Sequence, residues 1–215
     1  MTEDVEAVGA LAEPARRALY EYVAAAHQEV SRNEAAEAVG VSRPLAAFHL
    51  DRLVEVGLLE ASFRRLTGRS GPGAGRPAKL YRRAAGERSV SLPPRAYRTA
   101  AELLAEAVEE AGADTALHEA ARRYGRHVAA TVGPEPVAAL DTLGYEPADG
   151  GDRVLLRNCP YHPLARQFPP LVCGMSLALV EGLLAGLGGD RVARMDPAPG
   201  RCCVVLLKQA DIDLE

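Results

Sequence analysis

Tryptophan is absent from this chain of 215 residues, and aromatic residues make up only 5% of it. The N-terminus, Met1–Asp4, has neither the basic start nor the apolar run of a secretory signal peptide, so we expect a cytoplasmic protein. The most apolar segment, Pro170–Gly188, contains Glu181 and several glycines and is short for a membrane span. This segment is therefore predicted to be a buried helix, with no membrane partner.

The chain also has no excess of basic residues: its formal net charge is -4. This balance excludes a chain that is basic throughout, but the charges are unevenly distributed. The first thirty residues lean acidic, whereas residues 61–84 contain seven Arg or Lys and no acidic residue. A local basic stretch of this kind is a stronger sign of nucleic-acid binding than the overall balance.

Two short helices joined by a tight turn are predicted between residues 31 and 57. Ser31 and Glu34 have the spacing of a capping box, which starts the first helix. Gly40 supplies the left-handed backbone that ends this helix, and Ser42 caps the next one. Such a helix-turn-helix presents its second helix to the major groove of DNA.

A basic hairpin is predicted after these helices, with residues 67–79 as a Gly- and Pro-rich tip. The other predicted elements are a helix of about a dozen residues from Pro14 and strands over Leu58–Leu66 and Leu80–Arg83. Three helices followed by a hairpin form a winged helix, which we assign to residues 10–86. Residues 1–9 are expected to be frayed.

Two further regions are predicted, which makes the fold class α+β. Residues 92–143 form a helical dimerisation region, in which the helix Pro94–Ala111 is the best candidate for the dimer interface. Asp114 is expected to cap the next helix. Residues 144–210 form a C-terminal α/β sensor domain with a small antiparallel sheet, whose last strand is predicted over Cys202–Lys208.

The predicted DNA contacts lie on the second helix of the pair and on the wing. Arg43 can donate two hydrogen bonds to a guanine edge, and Phe48 can contact a thymine methyl group or pack against the wing. Any single arginine is equally explained as a solvated charge, but the whole set beside a helix-turn-helix predicts binding to double-stranded DNA. The full set is Ser42, Arg43, Pro44, Ala47, Phe48, His49, Arg52, Arg64, Arg65, Arg69, Arg76 and Lys79.

All four cysteines lie after residue 158. Four cysteines in a reducing compartment favour metal binding or redox chemistry over a disulfide framework. The alternative is that they are free thiols buried in the core. Cys159, Cys173 and Cys202 suit an iron–sulfur cluster or a zinc ion, with His162 or Cys203 as the fourth ligand. Cys202 and Cys203 are adjacent in a predicted strand, so only one of them should face a shared site.

Nucleophilic catalysis by Cys159 with His162 would need a third orienting group, and the sequence shows none. We therefore expect no enzyme.

Several motifs resemble those of one family. Val41–Leu53 with Gly57–Leu59 resembles the ArsR-type winged helix, and Gly75–Tyr81 resembles the wing of one branch. Four later segments resemble the C-terminal motifs of the same branch, which includes the SufR repressors. They are Asn158–Ala165, Leu171–Met175, Glu181–Leu184 and Gly200–Cys202. The resemblance implies a dimeric repressor of iron–sulfur cluster assembly operons that senses a [4Fe–4S] cluster, with Cys159, Cys173 and Cys202 matching cluster ligands.

The sequence thus predicts a homodimeric winged-helix repressor whose operator affinity is set by a C-terminal [4Fe–4S] cluster. Two alternatives stay open. The same site holds a zinc ion, or the C-terminal domain binds a small organic effector and the cysteines are structural.

Overall fold

The computed structural model describes residues 2–26, 28–65 and 77–209. The chain divides into two compact units, Met1–Arg95 and Ala96–Glu215. The dimerisation region predicted over 92–143 and the sensor domain predicted over 144–210 therefore fall mainly within one unit. The reason is that long helices from both regions pack against each other in a common core.

The N-terminal unit combines helices with a three-stranded antiparallel sheet whose strand order is β1-β3-β2. Leu19 and Val23 pack with Leu50, Leu53 and Tyr81 in its core. Its elements are α1 (Thr2–Ala10), α2 (Pro14–Ala26), β1 (Val30–Ser31), α3 (Arg32–Val39), α4 (Arg43–Glu55), β2 (Leu59–Arg64) and β3 (Ala78–Arg83).

The predicted caps of α3 and α4 are confirmed. The amide of Glu34 donates to Ser31 Oγ at 3.2 Å, and the Glu34 carboxylate accepts from the Ser31 amide at 3.4 Å. Gly40 has φ of 73°, the left-handed conformation that ends α3. The Leu45 amide donates to Ser42 Oγ at the start of α4. These caps fix where the second helix of the pair begins.

One local prediction for this unit is wrong, and one element was missed. Residues 2–10 are not frayed but form α1, because Ala7 and Ala10 pack into the structure at 0% and 6% exposure. The strand β1 was not foreseen, since two residues carry no readable periodicity. It pairs with β3 through Val30 opposite Tyr81. The predicted wing tip lies mostly outside the described residues.

The C-terminal unit packs helices on a four-stranded antiparallel sheet of strand order β4-β5-β7-β6. Val180 and Leu183 of its longest helix are fully buried in the same core as Val154, Val204 and Leu206. The elements are α5 (Tyr97–Glu110), α6 (Asp114–Ala129), α7 (Pro136–Thr142), β4 (Pro147–Asp149), β5 (Arg153–Leu156), α8 (His162–Ala165), α9 (Pro169–Leu187), β6 (Arg191–Met195) and β7 (Val204–Lys208). The α+β class is confirmed.

Small residues allow α6 and α9 to approach closely. A Cβ atom on Gly125 would lie 2.1 Å from the carbonyl oxygen of Leu179, and one on Gly182 would lie 2.2 Å from that of Arg122. One on Gly186 would lie 2.5 Å from the Ala129 Cβ. Gly182 and Gly186 are four residues apart and therefore share one helix face.

Three boundaries in this unit differ from the prediction. Asp114 is the first residue of α6 rather than its cap, and Ala113 occupies the cap position without a side-chain hydrogen bond. The helix α5 begins at Tyr97 and not at Pro94. The last strand begins at Val204, so Cys202 and Cys203 precede it. Strand alternation therefore does not force these two thiols apart.

Within the part of the chain that the structure describes, α9 is long and apolar enough to cross a membrane by length and composition. Half of its 18-residue apolar window is buried inside the unit. A core helix of a folded domain has the same properties.

Candidate nucleic-acid interface and thiol site

The helix α4 has one buried face and one exposed face. Ala46, Leu50 and Leu53 are fully buried, whereas Phe48 is 65% exposed. Ser42, Arg43 and Pro44, at the start of the helix, are also exposed, and Ala47 is half-buried. The N-terminal half of α4 therefore offers a basic and an aromatic side chain to a partner. The exposure of Phe48 leaves its ring available to a partner.

The prediction that His49 faces DNA is wrong. His49 is 5% exposed and lies between two side chains of the preceding segment. Arg16 Nε donates to His49 Nδ1 at 3.3 Å, and His49 Nε2 lies 3.4 Å from a Glu13 carboxylate oxygen. His49 therefore attaches α4 to the start of α2 and positions the helix. Its neighbour Phe48 makes an edge-to-face contact with the imidazole ring.

We expect His49→Ala to lower the free energy of unfolding by about 1–3 kcal/mol, because a buried hydrogen-bonded side chain is removed and Arg16 loses its acceptor. Urea unfolding monitored by circular dichroism measures this loss. Phe48→Ala is the matched control, since the neighbouring side chain is exposed and its removal should stay within about 0.5 kcal/mol. An unchanged midpoint for His49→Ala would contradict the positioning role.

Arg52 and Lys79 lie at the predicted surface but are engaged within the unit. Arg52 forms ion pairs with Glu6 and Glu55. The Lys79 ammonium lies 2.8 Å from an Asp51 oxygen, and Lys79 is only 25% exposed. A DNA contact by either side chain would require it to exchange its carboxylate partner for phosphate.

Asp51 connects α4 to the wing, and sequence reasoning missed this role. Its Oδ1 accepts from Lys79 and from the Tyr81 hydroxyl at 2.7 Å, and Arg32 donates to the same hydroxyl at 3.3 Å. Burial alone would raise the pKa of Asp51, but the hydrogen bonds from Lys79 and Tyr81 lower it below its ordinary value. An acidic residue on a helix expected to face DNA is the signal that could have revealed this contact.

The remaining wing residues differ in environment. Arg64 is 63% exposed and lies 3.2 Å from Glu29, and Arg65 is exposed. Arg69 and Arg76 lie outside the described residues.

The four thiols contact one another in the C-terminal unit. The Cys202 thiol is hydrogen-bonded to those of Cys159 and Cys203, and the Cys203 thiol also to that of Cys173. Cys202 is 1% exposed in the core, and Cys159 and Cys203 pack against the same cluster. His162, the other predicted fourth ligand, is exposed.

These contacts are pairwise. Among the described residues, no three His, Cys, Asp or Glu side chains are arranged as a metal site. Within the described part of the chain, the thiols are therefore near one another without being arranged as a metal site.

The Cys202 thiol is the one most disposed to lose its proton. Hydrogen bonds from Cys159 and then from Cys203 stabilise its thiolate and lower its pKa. The same contacts raise the pKa of Cys159 and Cys203, where ionisation would place a second negative charge beside Cys202. A thiolate is the form of cysteine that binds metals.

Two hydroxyl groups border these thiols and were not foreseen. The Tyr145 hydroxyl and Ser176 Oγ are 2.9 Å apart, and Ser176 also hydrogen-bonds to Cys202. Both residues are buried, at 0% and 1% exposure. Burial, with the nearby Tyr161, raises the pKa of Tyr145, so its hydroxyl remains a donor. A tyrosine and a serine far apart in sequence give no signal of this pairing.

Among protein families, one described as a helix-turn-helix domain matches residues 11–61. The matched segment contains α2, α3 and α4 together with the start of the wing. The N-terminal unit carries a helix-turn-helix domain. No curated protein and no solved structure matches the chain. The helix-turn-helix domain supports a DNA-binding transcriptional regulator rather than an enzyme, and the match does not extend to the C-terminal unit.

Proposed function

We propose that this protein is a homodimeric, cytoplasmic winged-helix repressor whose operator affinity is set by a [4Fe–4S] cluster bound at the C-terminal thiols. The observation that carries the DNA-binding part is the exposed start of α4 within the matched helix-turn-helix domain. In such domains the N-terminal residues of the second helix contact base edges in the major groove. Arg43 reads a guanine, and Phe48 contacts a thymine methyl group.

Arg43→Ala should weaken binding to a duplex selected from a random pool by about 1–3 kcal/mol, while binding to unrelated duplexes changes little, because a base contact is lost. Fluorescence anisotropy over a range of salt concentrations measures both affinities. Arg65→Ala is the matched control: a phosphate contact should lower both affinities and the salt slope alike. If Arg43→Ala lowered the affinity for both kinds of duplex equally, Arg43 would contact phosphate and not a base.

A second copy of the chain is the proposed partner of α5. One helix-turn-helix reads half a site, and specific affinity normally needs two related by a two-fold axis. Three large apolar side chains of α5 are exposed: Tyr97 at 77%, Leu103 at 61% and Leu104 at 67%. Apolar groups on one helix suit burial against the same helix of a partner. Analytical ultracentrifugation checks this assignment.

The chemistry of the four thiols, rather than their present arrangement, supports a thiolate-ligated cofactor. Cys159, Cys173 and Cys202 remain the proposed ligands, and the contacts of the Cys203 thiol favour it over the exposed His162 as the fourth. A [4Fe–4S] cluster would supply a redox- and oxygen-sensitive signal when bound. The zinc alternative is supported by the direct thiol contacts, because one tetrahedral ion holds its sulfur ligands closer together than a cluster does.

The thiol site is connected through α9 and α6 to the proposed dimer helix α5, which ends at Glu110, directly before α6 in the chain. Cys173 and Ser176 belong to α9, and α9 packs tightly on α6 through Gly125 and Gly182. A movement of α9 on loss of the cofactor would therefore move α6 as well. We propose that this movement changes the dimer geometry and so the distance between the two copies of α4 that contact DNA.

Strictly anaerobic purification, followed by the visible spectrum and the iron, sulfide and zinc contents, tests the cofactor. A brown protein with equal iron and sulfide supports the cluster. A colourless protein with stoichiometric zinc supports the zinc site, and a metal-free protein refutes both. DNA binding is then measured with and without the cofactor, and its absence at every salt concentration would refute the regulator itself.

A further inference from the structure

The exposed phenylalanines stand out in the N-terminal unit. The chain has three phenylalanines, and two of them, Phe48 and Phe63, are 65% and 66% exposed. Phe48 belongs to the proposed major-groove surface. Phe63 lies near the end of β2, an outer strand of the wing sheet. No function considered so far uses this side chain.

The strand register places Phe63 on the face of the sheet that borders α4. Phe63 is directly opposite Lys79, and Ala61 is directly opposite Tyr81. Opposite residues of an antiparallel pair share a face, as do residues two apart along a strand. Lys79 and Tyr81 both hydrogen-bond to Asp51 of α4. Phe63 therefore continues this face from α4 toward the wing tip.

Exposure rises along this face in the direction of the tip. Leu59 is 2% exposed and Ala61 is half-buried, whereas Phe63 is the exposed member of the row. The Lys79 ammonium is held by Asp51 and lies 5.4 Å from the Tyr81 ring. Among the described side chains of β2 that face α4, Phe63 is therefore the one nearest the wing tip.

The surroundings of Phe63 are basic. Arg64 and Arg65 follow it directly in the sequence, and Lys79 lies directly opposite it on the paired strand. Ser62 and Arg64, which alternate with Phe63, both contact Glu29 on the other face. An apolar ring within a basic wing matches a partner with a negatively charged backbone and an apolar interior. Duplex DNA has both properties.

We propose that Phe63 is a specificity-determining residue that enters the minor groove beside the site read by α4 and contacts the sugars and base edges of a deformable step. Apolar side chains inserted in this way partly unstack a base step, and pyrimidine–purine steps deform most easily. Phe63 would therefore select sequence by shape, at positions that Arg43 does not reach. This inference rests on the proposed DNA-binding function.

The test uses the full-length protein and duplexes selected from a random pool by the wild type. Phe63→Ala should bind these duplexes about tenfold more weakly, as expected for loss of one aromatic–base contact. The slope of log K against log salt should not change, because no charge is removed. A selection repeated with Phe63→Ala should lose the preference for flexible steps beside the major-groove consensus, and Phe63→Leu should restore much of the affinity.

The matched control is Val5→Ala, which removes another exposed apolar side chain, on α1, and should bind like the wild type. Thermal unfolding of Phe63→Ala should match the wild type, since the ring is exposed. Unchanged affinity and consensus for Phe63→Ala would overturn the inference, and so would a loss accompanied by a lower salt slope. A wild type that binds no duplex would instead refute the proposed DNA-binding function.

Discussion

Replacing Gly182 by alanine is expected to destabilise the C-terminal unit strongly, because the added methyl group would meet the backbone of another helix. The new Cβ would lie 2.2 Å from the carbonyl oxygen of Arg122 and 2.8 Å from its Cα. Both atoms belong to the backbone of α6, so no side chain can move aside. The helices must separate, and the apolar contacts between them are lost along their length.

We expect a loss of about 3 kcal/mol, at the upper end of the cost of overpacking, because the clash is with backbone. Urea unfolding followed by circular dichroism measures it. Gly133→Ala is the matched control in the same unit, since a Cβ there meets nothing within 4 Å. That variant should be neutral or slightly stabilising. Equal midpoints for Gly182→Ala and Gly133→Ala would show that α6 and α9 do not approach this closely.

Local signals in the sequence were sufficient to predict the helix-turn-helix. The capping residues Ser31, Gly40 and Ser42 each act on a residue at most four positions away, so they identify the helix ends without knowledge of the rest of the fold. The apolar stripe of α4 likewise separated Leu50 from Phe48. These effects depend on helix geometry alone, which is why they could be read from the sequence.

Contacts between distant segments could not be read in this way. His49 lies at the edge of the α4 stripe, and only the position of α2 buries it against Arg16 and Glu13. Lys79 was predicted to contact DNA because its charge is visible, but its partner Asp51 is 28 residues away. The same holds for Ser176 and Tyr145, which meet only through the packing of α9 on the sheet.

The cysteines illustrate both cases. Their concentration after residue 158 predicted a shared site, which stays a prediction, although the Cys202 thiol interacts with those of Cys159 and Cys203. The expectation that Cys202 and Cys203 would point apart depended on a strand boundary. It is wrong because β7 starts two residues after Cys202. Strand ends are set by competition between neighbouring segments, which a single segment does not reveal.

The largest expected effect on the proposed function comes from replacing Cys159, Cys173 and Cys202 together by serine. A serine hydroxyl does not supply the soft thiolate that iron–sulfur clusters and zinc require, so cofactor uptake should be abolished. Iron, sulfide and zinc are measured after anaerobic purification and reconstitution. An unchanged metal content would refute the assignment of these residues as ligands.

Three further variants keep this test decisive. Cys202 is 1% exposed, so its replacement by serine also places a hydroxyl group in the core. Cys159 is half-buried, so Cys159→Ser tests the site with less destabilisation of the fold.

Comparison of Cys203→Ser with His162→Ala identifies the fourth ligand. We expect loss of metal only for Cys203→Ser, because its thiol contacts those of Cys173 and Cys202. The reverse result would mean that His162, at the start of α8, moves to the site when metal binds, and that Cys203 only hydrogen-bonds to the Cys202 thiolate.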